Sequence, residues 1–347
     1  MLSDGAIVGL PPRRLFCRRC GSATLAPVVA QRLSRRLYGT AYALNAGPPT
    51  VADIDRQAGY ARLIADLLGA DRPPPAAILD VGCGNGGLLL ALSRLWPDAR
   101  LCGVEPAPGA AAAARAAGLP VSATLPPGRR AALVVSVNVI EHTPDPLAFL
   151  RRLRTACAPG GRIVLICPDG TGPWLELLMA DHRHSLSRTG LQALARRAGL
   201  AIVAAGGTAD GCFQALVLRA GPTGRGQTHG HVSPAAQRRY LGAWQGLDAA
   251  LGARRDPLRR LICFGCGEAA RLLRAYAPAT WRAVAAVTAD DPAGSEALGK
   301  PFLPVAGLEP ATDQVLLAVR PQAQAGLARR LSALGLPVLR WDGVITR

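Results

Sequence analysis

The feature that most constrains the fold is a strict alternation of short apolar runs with helical stretches. A helix is predicted from Gln57 to Leu68 and ends at Gly69, and the breaker sequence Arg72-Pro-Pro-Pro75 follows it. The alternation begins directly after this breaker, with AAILDV at 76–81. The apolar runs have the length of strands, and the segments between them carry apolar residues at helical spacing. Strands that alternate with helices predict right-handed βαβ units and a parallel sheet covered on both faces. The sequence therefore predicts an α/β fold of the doubly wound, Rossmann-like type.

The same alternation restarts after Asp256-Pro257, where RLICFG at 260–265 opens a second series. A length of 347 residues favours two domains over one. A Gly-rich stretch, Gly221 to Gly230, lies between the two series and is typical of a linker. We expect four parts: an N-terminal segment (1–54), a first α/β domain (55–220), a linker with a bridging helix (221–256) and a second, smaller α/β domain (257–347).

The basic charge of the chain is weak evidence for a nucleic-acid partner. Forty basic and 23 acidic residues give a formal net charge of +17, yet Lys300 is the only lysine. The arginines fall mostly in pairs on predicted helix faces, such as Arg151 and Arg152, and do not form one basic block. We therefore expect solvated helix faces and no nucleic-acid partner.

Hydropathy predicts a folded, cytoplasmic protein without a membrane partner. Half of the residues are hydrophobic and 18% are charged, which is enough apolar material for two cores. Every apolar stretch of membrane-spanning length is interrupted by charge, and the N-terminal residues Met1 to Arg14 lack the apolar region of a signal peptide.

Cysteine usage predicts reduced thiols and no bound metal. Of the nine cysteines, Cys17 and Cys20 form a Cys-x-x-Cys pair, which is half of a zinc knuckle. Structural zinc takes four ligands, and the next Cys or His in the chain is Cys83. The pair alone therefore does not predict a metal site.

The glycine-rich segment ILDVGCGNGG at 78–87 lies where a predicted strand meets a helix. Its glycines allow a sharp turn and a close approach of the backbone to a ligand. Asp80 precedes the turn, and Glu105 ends the next predicted strand, where such folds place a carboxylate on a ribose diol. The third glycine follows the second by two residues, which differs from the dinucleotide spacing. The segment predicts a nucleoside-containing ligand other than NAD.

Four motifs in order resemble the class I S-adenosylmethionine-dependent methyltransferases. They are LDVGCGNG at 79–86, GVEP at 103–106, VNVIEHTPDPLAFL at 137–150, and the turn Pro159-Gly-Gly161. The resemblance implies methyl transfer with S-adenosylmethionine as the cofactor and Ser122 to Thr124 at its adenine edge. It also implies a set of cofactor-binding residues: Asp80, Gly82, Cys83, Gly84, Asn85, Glu105, Pro106 and Asn138.

Two histidine neighbourhoods are candidates for the base that accepts a proton from the methyl acceptor. Glu141-His142 follows the fourth predicted strand, at the end where open α/β sheets bind ligands. The sequence Asp181-His-Arg-His184 precedes a helix that Ser187 is expected to cap. The catalytic candidates are therefore His182, with Asp181 orienting it, and then His184 and His142. The alternatives are loop capping or cofactor packing for His142 and a surface loop for residues 181–184.

A narrower resemblance, to bacterial sugar C-methyltransferases, suggests the acceptor. It rests on YGTAYAL at 38–44, DRQAGYARLI at 55–64, the Asp181-His182 loop and the second α/β domain. It implies C- or O-methylation of a sugar nucleotide or glycan, and a second copy of the chain is a further expected partner. Two alternatives stay open: a methyltransferase for a small secondary metabolite or quinone-like acceptor, and a nucleotide-sugar-binding scaffold with a vestigial methyltransferase fold.

A second glycine loop, Ile262-Cys-Phe-Gly-Cys-Gly-Glu-Ala-Ala270, resembles a dinucleotide fingerprint. It is followed by Asp290-Asp291 after the next predicted strand. The loop also resembles those of small nucleotide-sugar-binding domains. The alternative is a Rossmann-like domain that only supports dimerisation or shapes the acceptor cleft, and we expect no bound NAD.

Overall fold

The structure is a computed structural model that describes residues 1–3, 5–7, 13–27, 47–48, 51–221, 232–292 and 294–345. The YGTAYAL motif at 38–44 and the Gly-rich stretch after Gly221 lie outside the described residues. The chain divides into two compact units. The larger unit comprises Pro12–Gly172 and Asp181–Ser233, and the smaller unit comprises Met1–Pro11, Pro173–Ala180 and Pro234–Arg347. The four-part division at 54, 220 and 256 stays a prediction.

The larger unit contains a small antiparallel sheet and a large, mostly parallel one. In chain order its strands are β1 Arg14–Phe16, β2 Ala23–Leu25, β3 Ala77–Val81, β4 Arg100–Val104, β5 Val121–Ser122, β6 Ala131–Val137, β7 Cys157–Pro168, β8 His184–Ser185, β9 Leu200–Gly207 and β10 Phe213–Ala220. Its helices are α1 Val51–Leu68, α2 Gly87–Leu95, α3 Pro108–Ala116, α4 Pro146–Ala156 and α5 Arg188–Arg197.

The large sheet has the strand order β5-β4-β3-β6-β7-β10-β9. All neighbouring strands are parallel from β5 to β7, which confirms the predicted α/β fold. β10 runs antiparallel to both β7 and β9. The reversal follows from the short connection between β9 and β10, because a parallel crossover needs a dozen or more residues.

Helices cover both faces of this sheet, as the alternation predicts. Ile78 and Leu79 are consecutive in β3 and therefore point to opposite faces. Ile78 packs in a core cluster with Ile64 of α1 and Leu89 of α2. Leu79 packs in a second cluster that contains Leu150 of α4 and further buried residues of α5. The apolar character of both faces is what makes β3 a central strand.

The helix limits agree with the chain's cap residues. Ser187 caps α5, since its hydroxyl accepts a hydrogen bond from the Gly190 N–H at 3.0 Å. This confirms the predicted cap. α1 begins at Val51, six residues before the predicted start at Gln57, and ends at the predicted point before Gly69, whose φ is +83°.

The smaller unit contains a second sheet with the order β12-β11-β13-β14, and all its strands are parallel. The strands are β11 Arg260–Phe264, β12 Val284–Thr288, β13 Asp313–Leu317 and β14 Val338–Arg340. The helices are α6 Ala235–Gln245, α7 Leu247–Gly252, α8 Glu268–Tyr276, α9 Pro278–Ala283 and α10 Pro321–Ala333. The predicted bridging helix from Pro234 to Leu251 is divided at Gly246 into α6 and α7. No helix among the described residues is both long and apolar enough to cross a bilayer.

An ion pair anchors the start of β13 in the smaller unit. Both oxygens of the buried Asp313 carboxylate accept hydrogen bonds from Arg260, at 2.7 and 3.0 Å, and the Glu309 N–H donates to the same carboxylate at 2.9 Å. These donors, Arg260 first, lower the pKa of Asp313. A lowered folded-state pKa adds stability that is present above the ordinary aspartate pKa, about 3.9, and is lost as the pH falls.

We expect Asp313→Asn to lower the free energy of unfolding by about 1–3 kcal/mol at neutral pH, because a buried charge-assisted pair is broken. The variant should also lose less stability than the parent between neutral pH and about pH 3. Denaturant unfolding followed by circular dichroism measures both. The matched control is Asp290→Asn, whose exposed pair with Arg330 should contribute less than about 1 kcal/mol. Equal losses in the two variants would contradict this account.

Candidate functional site

The turn between β3 and α2 is built by glycines that no other residue can replace without strain. Gly82, Gly84 and Gly86 have φ values of +87°, +53° and +85°. A Cβ atom on Gly82 would overlap the side chain of Val139, which lies at the end of the neighbouring strand β6. The N–H groups of Gly82 and Cys83 both donate to the Val104 carbonyl, at 2.7 and 3.1 Å. The turn is therefore held against the ends of both strands that flank β3.

Glu105 fixes the glycine turn from the end of β4. Its Oε2 accepts a hydrogen bond from the Gly84 N–H at 2.9 Å, and its Oε1 accepts one from the Ala107 N–H at 2.8 Å. The side chain is buried. A carboxylate offers about four acceptor positions, so the two backbone donors leave room for further donors. Glu105 was predicted only as a ribose ligand, and the structure gives it a positioning contact as well. The next predicted residue, Pro106, is exposed.

Asp80 is a buried carboxyl directly before the turn. It is 2% exposed, and its Oδ1 has no hydrogen-bond partner among the described residues. Burial, and then the charge of Glu105, raise the pKa of Asp80 to about 8. A positively charged hydrogen-bond donor would stabilise the ionised form of Asp80, because it offsets the free-energy cost of burying that charge.

Asn138 follows β6 and has a strained backbone. Its φ is +56°, and it is the one non-glycine residue with a positive φ in the described parts of the chain. Its Nδ2 donates to the Tyr60 hydroxyl at 3.4 Å, whereas its Oδ1 is buried and has no hydrogen-bond partner there. Because β3 and β6 are parallel neighbours, Asp80 and Asn138 bring two buried, unsatisfied acceptors to the same edge of the sheet.

Two further predicted cofactor-binding residues line or support the turn. Asn85 is buried, and its Nδ2 donates to the Gly47 carbonyl at 3.1 Å. Cys83 is buried, and burial raises the pKa of its thiol, so it is a neutral side chain. Tyr60 of α1 was not predicted as a site residue. It lies in the DRQAGYARLI segment, where its helical spacing identifies it only as a core residue.

The predicted base candidates His142 and His182 lie side by side. His142 belongs to a 3-10 turn, Ile140–His142, that follows β6, and its ring packs edge-to-face on His182 with the centroids 4.8 Å apart. His142 Nδ1 lies 3.0 Å from the Asp181 carbonyl oxygen, which can only accept, so Nδ1 carries the proton. The lone pair is therefore on Nε2, which lies 4.0 Å from Glu141 Oε1.

Burial and then the neighbouring His182 lower the pKa of His142 to about 4, so its ring is neutral at neutral pH. Glu141 was named in the sequence as the neighbour of His142 and was not predicted as a site residue. It is 2% exposed. Among the described residues, Glu141, His142 and His182 place one ligand atom each within 4.8 Å of one another, which is an arrangement that could hold a metal ion.

His184 is separated from this pair by its hydrogen bonds. Its Nε2 lies 3.0 Å from the Thr143 carbonyl oxygen and its Nδ1 lies 2.7 Å from the Thr24 hydroxyl. The carbonyl requires the proton on Nε2, so Nδ1 accepts from Thr24 and both ring nitrogens are occupied. The geometry thus argues against His184 as the base, although the sequence predicted it as one. His184 joins β2 to the loop after His142, and burial lowers its pKa.

The Cys17–Cys20 pair lies in the turn between β1 and β2, and both thiols are free. The smaller unit's glycine loop follows β11, and Gly265 there has a φ of +115°. Asp290, which the fingerprint would place on a ribose, forms an ion pair with Arg330. A cavity of about 410 Å³ in the smaller unit is lined by Trp174, Tyr240, Trp341 and Arg320, among others.

Comparisons with known proteins identify the domain. Residues 52–205, which are less than half of the chain, match the family Methyltransf_23, described as "Methyltransferase domain". The chain is 37% identical over 107 residues to a ubiquinone biosynthesis O-methyltransferase of Methylobacterium sp. (strain 4-46), covering 28% of this chain and 42% of that one. It is 30% identical over 120 residues to a trans-aconitate 2-methyltransferase of Methylobacterium radiotolerans, covering 33% and 43%.

The chain therefore spans less than half the length of these two relatives. The solved structure of the CcbJ methyltransferase from Streptomyces caelestis aligns with a TM-score of 0.39 at 19% identity, covering 51% of this chain and 92% of that one. Residues 52–205 are therefore similar to a methyltransferase domain, and they lie in the unit whose large sheet has a Rossmann-like fold.

The glycine turn gives a first testable prediction. Gly82→Ala should destabilise the chain by about 2–4 kcal/mol, since it combines a positive φ with an overlap on Val139. The control Gly118→Ala has a φ of +81° and open space around it, so it should cost only about 1–2 kcal/mol. Val139→Ala added to Gly82→Ala should recover part of the loss in a double-mutant cycle. Denaturant unfolding of the parent, the three single variants and the double variant measures these losses, and equal losses for the two glycines would contradict the proposed overlap.

Asp80 gives a second prediction, about pH. Its folded-state pKa of about 8 exceeds the ordinary value, so this group makes the fold less stable as the pH rises from about 4 through 8. Asp80→Asn should therefore raise the melting temperature at about pH 9 and change it little at about pH 5. Thermal unfolding of the ligand-free protein at both values tests this, with the exposed Asp71→Asn as control. An equal effect of Asp80→Asn at both pH values would show that its burial has no such cost.

Proposed function

We propose that this chain, which contains a methyltransferase domain at residues 52–205, transfers a methyl group from S-adenosylmethionine to a small-molecule acceptor. The observation that carries the proposal is the pair of buried acceptors beside the glycine turn, Asp80 Oδ1 and Asn138 Oδ1, which have no hydrogen-bond partner among the described residues. The ammonium group of the cofactor's amino-acid tail is a donor that suits both. Its positive charge would also favour the ionised form of Asp80.

Glu105 supports the ribose half of the same proposal. Its two backbone hydrogen bonds hold the carboxylate at the glycine turn and leave acceptor positions for two hydroxyl groups. In open α/β sheets a carboxylate at the end of the second strand of the unit binds the ribose diol in this way. Cys83, Gly84 and Asn85 would then pass close to the methionine part through their backbone.

The reaction is an in-line displacement at the sulfonium. A lone pair of the acceptor forms the new bond to the methyl carbon, the sulfur–methyl bond breaks, and its electron pair remains on the sulfur. The chain's own residues have two tasks, which are to orient the two reactants and to remove the acceptor's proton. Glu141 and His142 follow Asn138 at the end of β6, and His182 joins them from the loop before β8; we assign to this cluster the promotion of proton loss from the acceptor.

The acceptor class that we propose is a small molecule with a reactive hydroxyl or carboxylate oxygen. The support is that the matched relatives are named for ubiquinone biosynthesis and for trans-aconitate. A sugar nucleotide or glycan is the second candidate. It is favoured by the smaller unit, which adds a parallel sheet, a glycine loop and a cavity lined by Trp174, Tyr240 and Trp341, because aromatic faces pack on sugars and bases.

Isothermal calorimetry with S-adenosylmethionine and its demethylated product tests the cofactor. We expect one site per chain, and an affinity that falls on the order of tenfold in Asp80→Asn and in Asn138→Gly, because each loses a hydrogen bond to a charged group. Glycine at position 138 adopts the positive φ without strain. A lower affinity of Asn138→Gly therefore reflects the missing side-chain amide and not a changed backbone. Asp290→Asn is the control, with parental affinity expected.

Mass spectrometry of reactions with hydroxy acids, quinols and sugar nucleotides then identifies the acceptor class. Methylation of sugar nucleotides alone would select the second candidate. A folded chain that binds neither cofactor form would refute the proposed activity and favour the scaffold alternative.

A further inference from the structure

Three side chains from two separate segments converge next to the proposed cofactor site. Glu141 and His142 come from the 3-10 turn after β6, and His182 comes from the loop before β8. One carboxylate oxygen and one nitrogen of each ring all lie within 4.8 Å of one another. Two imidazoles and one carboxylate form a donor set that binds zinc and neighbouring first-row divalent ions.

His142 is oriented in the way that metal-bound histidines usually are. Such a ring donates the N–H of its second nitrogen to a carbonyl or a carboxylate, which fixes the tautomer and the ring plane. Here Nδ1 donates to the Asp181 carbonyl at 3.0 Å, and the Asp181 Oδ2 atom lies 3.9 Å away. This leaves the Nε2 lone pair, which lies 4.0 Å from Glu141 Oε1, as the ligand atom.

The backbone that carries these side chains is held from outside the cluster. Arg14 of β1 donates to the His182 carbonyl at 3.0 Å, and His184 joins Thr24 of β2 to the Thr143 carbonyl. With metal–ligand bonds of about 2.1 Å, tetrahedral ligand atoms lie about 3.4 Å apart. The observed limit of 4.8 Å therefore needs a closure of somewhat more than 1 Å, which rotations of the three side chains can supply.

We propose that Glu141, His142 and His182 bind one divalent transition-metal ion, with Zn²⁺ and Co²⁺ as the probes. Three protein ligands leave at least one coordination position open, as in catalytic zinc sites. The role of the ion rests on the proposed function: it binds the acceptor oxygen and lowers the pKa of its hydroxyl group. The hydroxyl proton then leaves to water, and the oxygen lone pair forms the bond to the methyl carbon as the sulfur–methyl bond breaks.

The ligand set implies an acceptor class. An oxygen that must displace water from a metal ion binds best when a second oxygen of the same molecule can bind beside it. Vicinal hydroxyls and hydroxy acids have this arrangement, whereas an isolated alcohol does not. The site would therefore favour acceptors with two adjacent oxygen atoms.

Co²⁺ titration of the full chain, followed by visible absorption, tests the ion site directly. The background is Cys17→Ser with Cys20→Ser, because this pair of free thiols, of which Cys17 is exposed, is a competing ligand. We expect one equivalent to bind with a spectrum of nitrogen and oxygen ligands and without thiolate charge-transfer bands. Glu141→Gln and His182→Gln should each weaken binding on the order of tenfold or more, and Zn²⁺ should displace Co²⁺.

Glu296→Gln is the control, because this carboxylate is exposed and belongs to the smaller unit, whereas the proposed ligands all belong to the larger one. It should retain Co²⁺ affinity. Circular dichroism shows that each variant is folded. The proposal is overturned if the background with Cys17→Ser and Cys20→Ser binds no Co²⁺, or if Glu141→Gln and His182→Gln both bind it as the background does. Calorimetry with S-adenosylmethionine is run on the same samples. A chain that binds the cofactor but no Co²⁺ refutes the metal site alone, and a chain that binds Co²⁺ but no cofactor refutes the proposed function alone.

Discussion

The interaction on which the larger unit's site depends is the contact of the Glu105 carboxylate with two backbone N–H groups. It joins the end of β4 to the glycine turn through Gly84 and to the start of α3 through Ala107. The N–H groups of Gly82 and Cys83, which donate to the Val104 carbonyl, are further contacts between the turn and β4. Asp80 directly precedes this turn at the end of β3. A single carboxylate thus links the end of β4 to the turn that follows Asp80.

The site retains features that stability alone would not select. Asp80 is a buried carboxyl with a raised pKa, and Asn138 combines a positive φ with a buried, unsatisfied oxygen. Each costs free energy in the ligand-free fold, on the order of 1–3 kcal/mol for a strained backbone or a buried unsatisfied group. They lie on neighbouring strands and face the same edge, so one bound ligand can satisfy both. The sheet around them is regular and apolar, which is why the fold tolerates both costs in one place.

Local pattern was enough to predict the elements and the glycine turn, and not the contacts that the histidines make. The β3–turn–α2 segment, the Ser187 cap and the end of α1 at Gly69 are all decided by residues within a few positions of one another. The short connection between β9 and β10 also determines that these two strands are antiparallel. The alternation of strands and helices by itself does not predict this. The hydrogen bonds of His184 could not be predicted from neighbouring residues, because one of them involves Thr24, which lies 160 residues away in the chain.

The contrast between His142 and His184 shows why residue type and loop position do not assign a base. Both rings donate to a backbone carbonyl, which fixes one proton in each. In His184 the second nitrogen accepts from the Thr24 hydroxyl, so the ring serves as a bridge between β2 and the loop after His142. In His142 the second nitrogen faces the carboxylate of Glu141, with His182 beside it. Since the hairpin β1–β2 also binds the His182 carbonyl through Arg14, the short N-terminal sheet supports the cluster. A segment that the sequence identified only as half of a zinc knuckle thereby positions both loops that carry the histidines.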